Sequence, residues 1–119
     1  MKYMVKGKEI SIKNQKILFE NEIVKVEDLG KSVILLLENT STGDVQKQPL
    51  NNIIAIDKEG NILWRISEIT KNYNVPYGIF SIQHIKGEGK VLIATDCMGI
   101  RYTIRLSDLK LLHARGYTF

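Results

Sequence analysis

The chain is predicted to be all-β: antiparallel, with eight to eleven short strands in two packed, blade-like sheets that form a sandwich or an open barrel. Three observations predict this. Helical periodicity is almost absent, apolar and β-branched residues alternate with polar ones at period two, and Gly, Asn and Asp interrupt the pattern every few residues. With 119 residues, 44% of them apolar and 25% charged, the whole chain, 1–119, reads as a single domain able to bury its own core. The one cysteine, Cys97, excludes an internal disulfide framework and fits a reducing compartment.

The first hairpin is predicted to pair residues 9–13 with 16–20 around Asn14-Gln15. Ile10 and Ile12 share a face, Ile17 and Phe19 share one on the return, and Asn tolerates the positive φ of tight turns. A strand over 23–27 then turns through Asp28-Leu29-Gly30-Lys31 into a strand over 32–38. In the latter, Val33-Ile34-Leu35-Leu36-Leu37 does not alternate, so both of its faces must be covered and the strand must be central. Residues 39–51 are polar, carry Gly43 and Pro49, and read as the longest loop. The clearest hairpin follows, with strands 52–57 and 61–66 joined by Lys58-Glu59-Gly60, a three-residue turn whose last position is left-handed. Ile54 and Ile56 share one face, and Ile62, Trp64 and Ile66 alternate on the return, which makes Trp64 the largest expected core contribution.

Residues 67–77 read as a second loop with room for one helical turn. Four more strands are expected over 78–85, 90–96, 100–106 and 110–117. In the third of these, Ile100, Tyr102, Ile104 and Leu106 face one way and Arg101, Thr103 and Arg105 the other. That is a half-buried strand with a basic outer face.

Residues 23–66 and 78–117 share a plan of four consecutive antiparallel strands. Ile54-Ala55-Ile56-Asp57 sets against Tyr102-Thr103-Ile104-Arg105, and after one extra turn residue Ile62-Leu63-Trp64-Arg65 sets against Leu111-Leu112-His113-Ala114. The stretch from Asn52 to Arg65, Asn-Ile-Ile-Ala-Ile-Asp-Lys-Glu-Gly-Asn-Ile-Leu-Trp-Arg, resembles the blade hairpin of quinoprotein-type β-propellers, and residues 100–115 resemble it weakly. In that family the Trp docks between blades, so the resemblance implies a mode of packing and nothing about quinone binding. A closed propeller takes about four blades or more, and there is room here for two. The sheets are therefore expected to pack on each other or across a dimer. The chain is also similar to small stand-alone bacterial proteins that carry the same pattern.

No constellation points to catalysis. His84, His113 and Cys97 are the candidate soft ligands, and no two lie at metal-ligand spacing. His84, on the face of Phe80 and Ile82, reads as a buried imidazole. Cys97 lies in the turn Asp96-Cys97-Met98-Gly99, where Asp96 opposes thiolate formation. Gly87-Glu88-Gly89-Lys90 lacks P-loop spacing and reads as a hairpin turn. The expectation is a protein that is not an enzyme and holds neither metal nor cofactor.

Two surfaces remain as candidates. Tyr73, Asn74, Pro76 and Tyr77 crowd into one loop, and tyrosine suits protein interfaces because it offers rigid area with a hydroxyl. Arg101 and Arg105, with Lys90 and Lys110 on neighbouring strands, make an anion-binding or nucleic-acid platform, although Tyr102 faces away and leaves no ring for bases to stack on. The net charge is +4, with six Lys/Arg against three acids in residues 1–26 and again in 75–119, which suits a partner with acidic patches. The leading expectation is thus a non-enzymatic bacterial protein-binding module, one form of which is an immunity protein neutralising a co-encoded toxin. The alternative is an anion or nucleic-acid binder using the Arg101/Arg105 face. The longest apolar run, Val33 to Leu37, cannot span a bilayer, and the N-terminus lacks the apolar core of a signal peptide, so a cytoplasmic protein without membrane contact is expected.

Overall fold

The computed structural model describes residues 1–38 and 50–116, so the loop expected over 39–51 lies almost wholly outside the described residues. Period-two alternation yields antiparallel strands throughout, and among the described residues these form three meanders in chain order. Sheet 1 contains β1 (Met4–Lys6), β2 (Glu9–Ile12) and β3 (Gln15–Leu18). Sheet 2 contains β4 (Ile23–Asp28), β5 (Ser32–Leu37), β6 (Ile53–Asp57) and β7 (Ile62–Arg65). Sheet 3 contains β8 (Tyr77–Ile85), β9 (Gly89–Asp96), β10 (Arg101–Arg105) and β11 (Lys110–Arg115). The all-β, antiparallel class is as predicted, and no sheet closes into a barrel. The expected two layers are three, because β1 joins the first hairpin to make a sheet of its own.

The layers stack through two apolar clusters. Ile10, Ile12 and Phe19 of the N-terminal region pack with Val33, Leu35, Leu37, Ile54 and Ile56 on one face of sheet 2. On its other face Ile34, Leu36, Ile53, Ala55, Trp64 and Ile66 pack with Phe80, Leu92, Ala94, Tyr102 and Ile104 of sheet 3. Sheet 2 is thus covered on both sides. This accounts for the unbroken apolar run of β5, whose residues Val33 to Leu37 are all buried.

Two local features depart from the sequence reading. The β2–β3 turn is Lys13-Asn14, with Ile12 opposite Gln15, and Lys13 takes the left-handed conformation at φ 53°. Pairing Ile10 directly with Ile17 on the inner face sets this register and moves the turn one residue earlier than expected. Residues 67–70, part of the loop expected to have room for one helical turn, form that turn together with Ile66, expected as the end of a strand: α1 (Ile66–Thr70). The buried Ile66 anchors it, the Asn51 Oδ1 accepts from the Ser67 N–H at 2.8 Å, and Lys71 ends it in the left-handed region at φ 63°.

The internal echo reappears in the register. In sheet 2 the pairing slips between Ile23 and Lys25 of β4 and between Ala55 and Ile56 of β6. In sheet 3 it slips between Tyr77 and Ile79 of β8 and between Thr103 and Ile104 of β10. Both irregularities fall at the same steps, so Ile23 corresponds to Tyr77, Ile54 to Tyr102 and Trp64 to His113, the last two as the sequence alignment has them. The correspondence also reveals how the layers stack. Sheet 2 meets sheet 3 through Ile53 and Ala55, whose counterparts Arg101 and Thr103 lie on the far side of sheet 3. Each sheet therefore lays the same face on the next, front to back.

Candidate binding face

The tyrosine loop is pulled inward. Tyr73 is 51% exposed and Asn74 is exposed, but Pro76 and Tyr77 are buried. The Tyr77 N–H donates to Asn52 Oδ1 at 2.8 Å, and its carbonyl accepts from Asn52 Nδ2 at 2.8 Å. Its ring stands edge-on to that of Tyr102 at 5.8 Å, and its hydroxyl lies 2.5 Å from Thr70 Oγ1. Burial raises the Tyr77 phenol above its ordinary value. Tyr77 is thus a staple between sheets 2 and 3, and a docking surface made of all four loop residues is corrected to the exposed pair Tyr73 and Asn74. The sequence could not separate them, because rings that fold inward and rings that face solvent have the same composition.

Next to this staple, Asp96 is 4% exposed and fully used. Its Oδ1 accepts from the N–H groups of Met98 and Ile100, and its Oδ2 accepts from Asn72 Nδ2 and the Tyr102 hydroxyl, both at 3.1 Å. Desolvation and then the charge of Asp96 push the Cys97 thiol up, away from a nucleophilic thiolate. His84, expected to be buried, is exposed near the end of β8. Among the described residues no three His, Cys, Asp or Glu side chains group as metal ligands.

The outer face of sheet 3 gathers the remaining cations. Register places Arg115, Arg101, Thr95 and Ile79 on one rung, His113, Thr103, Ile93 and Ser81 on the next, and Lys110, Arg105, Val91 and Gln83 on the third. The four basic residues expected to act together separate here. Arg105 is held by Asp108 at 2.7 and 2.9 Å and by Glu88 at 2.7 Å, which keeps its guanidinium firmly protonated and lowers Asp108 to about 2. Lys110 sits opposite Arg105 on the same rung. Lys90 has the strand parity of Leu92 and Ala94 and belongs to the opposite face. Arg101 alone of the four lies on the first rung, where it is exposed and directly opposite Arg115.

Arg115 was not among the sequence candidates and His113 was weighed only as a soft ligand, since without the register the residues opposite Arg101 and Thr103 cannot be named. Their signal was the echo itself. On sheet 2 the corresponding positions hold Trp64 and, one step beyond Arg65, Ile66, both of them buried at the interface with sheet 3. Sheet 3 replaces Ile53, Ala55, Leu36, Trp64 and Ile66 by Arg101, Thr103, Thr95, His113 and Arg115, and keeps only Ile93 in the place of Ile34. Two shallow depressions mark the result. One of about 230 Å³ is lined by Ile93, Arg101, Thr103, His113 and Arg115. Another of about 240 Å³ includes Ile79, Ser81 and Thr95. The first two rungs carry no Asp or Glu.

Residues 1–114 match a family described as a domain of unknown function, DUF7957. The chain belongs to that family. No curated protein and no solved structure matches it. Among the described residues no helix is long and apolar enough to cross a membrane.

Proposed function

We propose that this protein is a non-enzymatic binding module that receives the acidic surface of a protein partner on the outer face of sheet 3. One observation carries the reading: among the described residues, the sheet face that elsewhere in this chain packs against another layer is here covered by no other sheet, carries no Asp or Glu on its first two rungs and presents Arg101, Arg115 and His113. Apolar Ile93 and the 60% exposed Ile79 lie among these polar groups, giving the mixture of apolar contact and charged rim that protein interfaces use. Like charge opposes stacking of this face on itself and favours a partner of opposite sign. The immunity role expected from the sequence is one form of this proposal, and a toxin-like reading frame beside the gene is its own test.

Nucleic acid is the second reading, supported by the same cations. Among the described residues the three rungs carry no Phe, Tyr or Trp for bases to stack on, which weakens it. Affinity capture separates the possibilities. The wild-type protein and a Tyr73→Ala/Asn74→Ala variant should retain the same acidic protein, and an Arg101→Glu/Arg115→Glu variant should lose it. Loss in the loop variant with retention in the charge-reversed one overturns the reading. Binding of single-stranded DNA that falls steeply with salt would favour the nucleic-acid reading instead.

A further inference from the structure

At the other end of the stack, we propose that the outer face of sheet 1 docks the protein on an anionic lipid surface. Residues 1–18, which build that sheet, hold five lysines against one acid, Glu9, while residues 19–119 hold twelve Lys/Arg against twelve acids. The whole net charge of +4 therefore resides in the N-terminal layer. Register shows how it is displayed. Val5, Ile10, Ile12 and Ile17 turn inward onto sheet 2, so the pleat sends Met4, Ser11 and Lys16 outward on one rung and Lys6, Glu9 and Leu18 outward on the next. Lys8 lies in the turn between β1 and β2, and Lys13 in the turn between β2 and β3. Lys13 pairs with Glu59, whereas among the described residues no Asp or Glu pairs with Lys2, Lys6, Lys8 or Lys16.

Charge alone would suit any acidic partner, and the apolar side chains decide between them. Met4 is 70% exposed and Leu18 75%, one on each rung and on opposite edge strands of the sheet. A single exposed aliphatic is ordinary on a protein surface. Here each rung sets one in line with a lysine, the combination that lies well on a bilayer. The apolar group enters the acyl boundary, and the ammonium stays among the headgroups while its methylene stem covers apolar surface. A depression of about 370 Å³, lined by Lys2, Tyr3, Met4, Ser11 and Lys13, opens on the same face and gives a headgroup room beside Lys2. Nucleic acid would leave Met4 and Leu18 without a role, since neither rung carries a ring for bases to stack on. The expectation of no membrane contact came from the lack of a spanning run, and a surface contact needs none. Sheets 1 and 3 cover opposite faces of sheet 2, so lipid held by sheet 1 leaves the outer face of sheet 3 turned away from it.

Co-sedimentation of the untagged full chain with vesicles tests this, using phosphatidylcholine alone or mixed with phosphatidylglycerol. The expected result is binding to the mixed vesicles, little to phosphatidylcholine alone, and release as sodium chloride is raised. Lys6→Gln with Lys16→Gln should weaken binding about tenfold or more, whereas Lys86→Gln with Lys90→Gln removes the same charge from sheet 3 and should change it by less than about twofold. Met4→Ser with Leu18→Ser keeps every charge and should weaken binding about fivefold or more. All six substituted side chains are exposed, and Trp64 fluorescence like that of the wild type verifies that each variant is folded. Equal binding to the two vesicle types, equal effects of the two lysine pairs, or full binding by the Met4→Ser/Leu18→Ser variant overturns the inference. Retention on polyglutamate or single-stranded DNA without binding to the mixed vesicles also overturns it, and assigns the face to an acidic protein or to nucleic acid.

Discussion

Gly60 shows how much a single position can carry. It closes the three-residue turn of β6–β7 at φ 91°, where its N–H donates to the Asp57 carbonyl at 3.1 Å. A Cβ there would stand 3.0 Å from Gln15 Oε1 and 3.3 Å from Gln15 Cβ, so the position is closed by a side chain of sheet 1 as well as by backbone conformation. Gly60→Val should cost about 1–2 kcal/mol from the backbone alone. Chemical denaturation checks this, and adding Gln15→Ala should recover any excess above it. The sequence indicated the glycine's conformation from the turn length. It did not indicate the contact with Gln15, which arises only when sheet 1 lies over sheet 2. The same division holds at Tyr73 and Tyr77, four residues apart and alike in chemistry, of which one faces solvent and the other is 0% exposed.

At the scale of elements, sheets 2 and 3 are joined by polar groups as well as by apolar packing. Asn52 is 0% exposed and bridges them: its Nδ2 donates to the carbonyls of Leu37 and Tyr77, and its Oδ1 accepts from the Tyr77 N–H. Asn52→Ala strips partners from three backbone groups in a dry setting and should cost about 3 kcal/mol, read from equilibrium unfolding. Asn52 was read as the start of a strand, and nothing in its neighbourhood of chain distinguishes it from a turn asparagine. The β10–β11 turn offers a pH test. Hydrogen bonds from Arg105 lower Asp108 from an ordinary value of 3.8 to about 2. A carboxylate with a depressed folded pKa contributes stability that is complete above its unfolded value and is lost as pH falls through the folded one. The wild-type protein should therefore lose stability between about pH 4 and 2 more steeply than Asp108→Asn, a difference visible in urea midpoints across that range.

At the scale of the whole molecule, the fold is three meanders stacked front to back, with sheet 2 as the buried middle layer. Trp64 is 7% exposed and sits at the junction with sheet 3. Trp64→Ala should cost about 3–5 kcal/mol and weaken hydrogen-exchange protection in sheets 2 and 3 before sheet 1, since the cavity opens between those two layers. Stacking also decides where a binding face can be. Sheet 2 has none left, and sheet 3 ends the series with its packing positions recast in arginine, histidine and threonine.

The sequence by itself determined the strand class, the central place of β5, the Gly60 turn and the match between the last hairpins of the two four-stranded stretches, because period-two burial and turn stereochemistry act over a few residues of chain. It could not determine the third layer, the Asn52 staple, the inward turn of Tyr77 or the pairing of Arg101 with Arg115. Those depend on which strands lie side by side and which faces meet, and a residue's cross-strand and cross-layer neighbours are fixed by register and stacking, which no local pattern encodes.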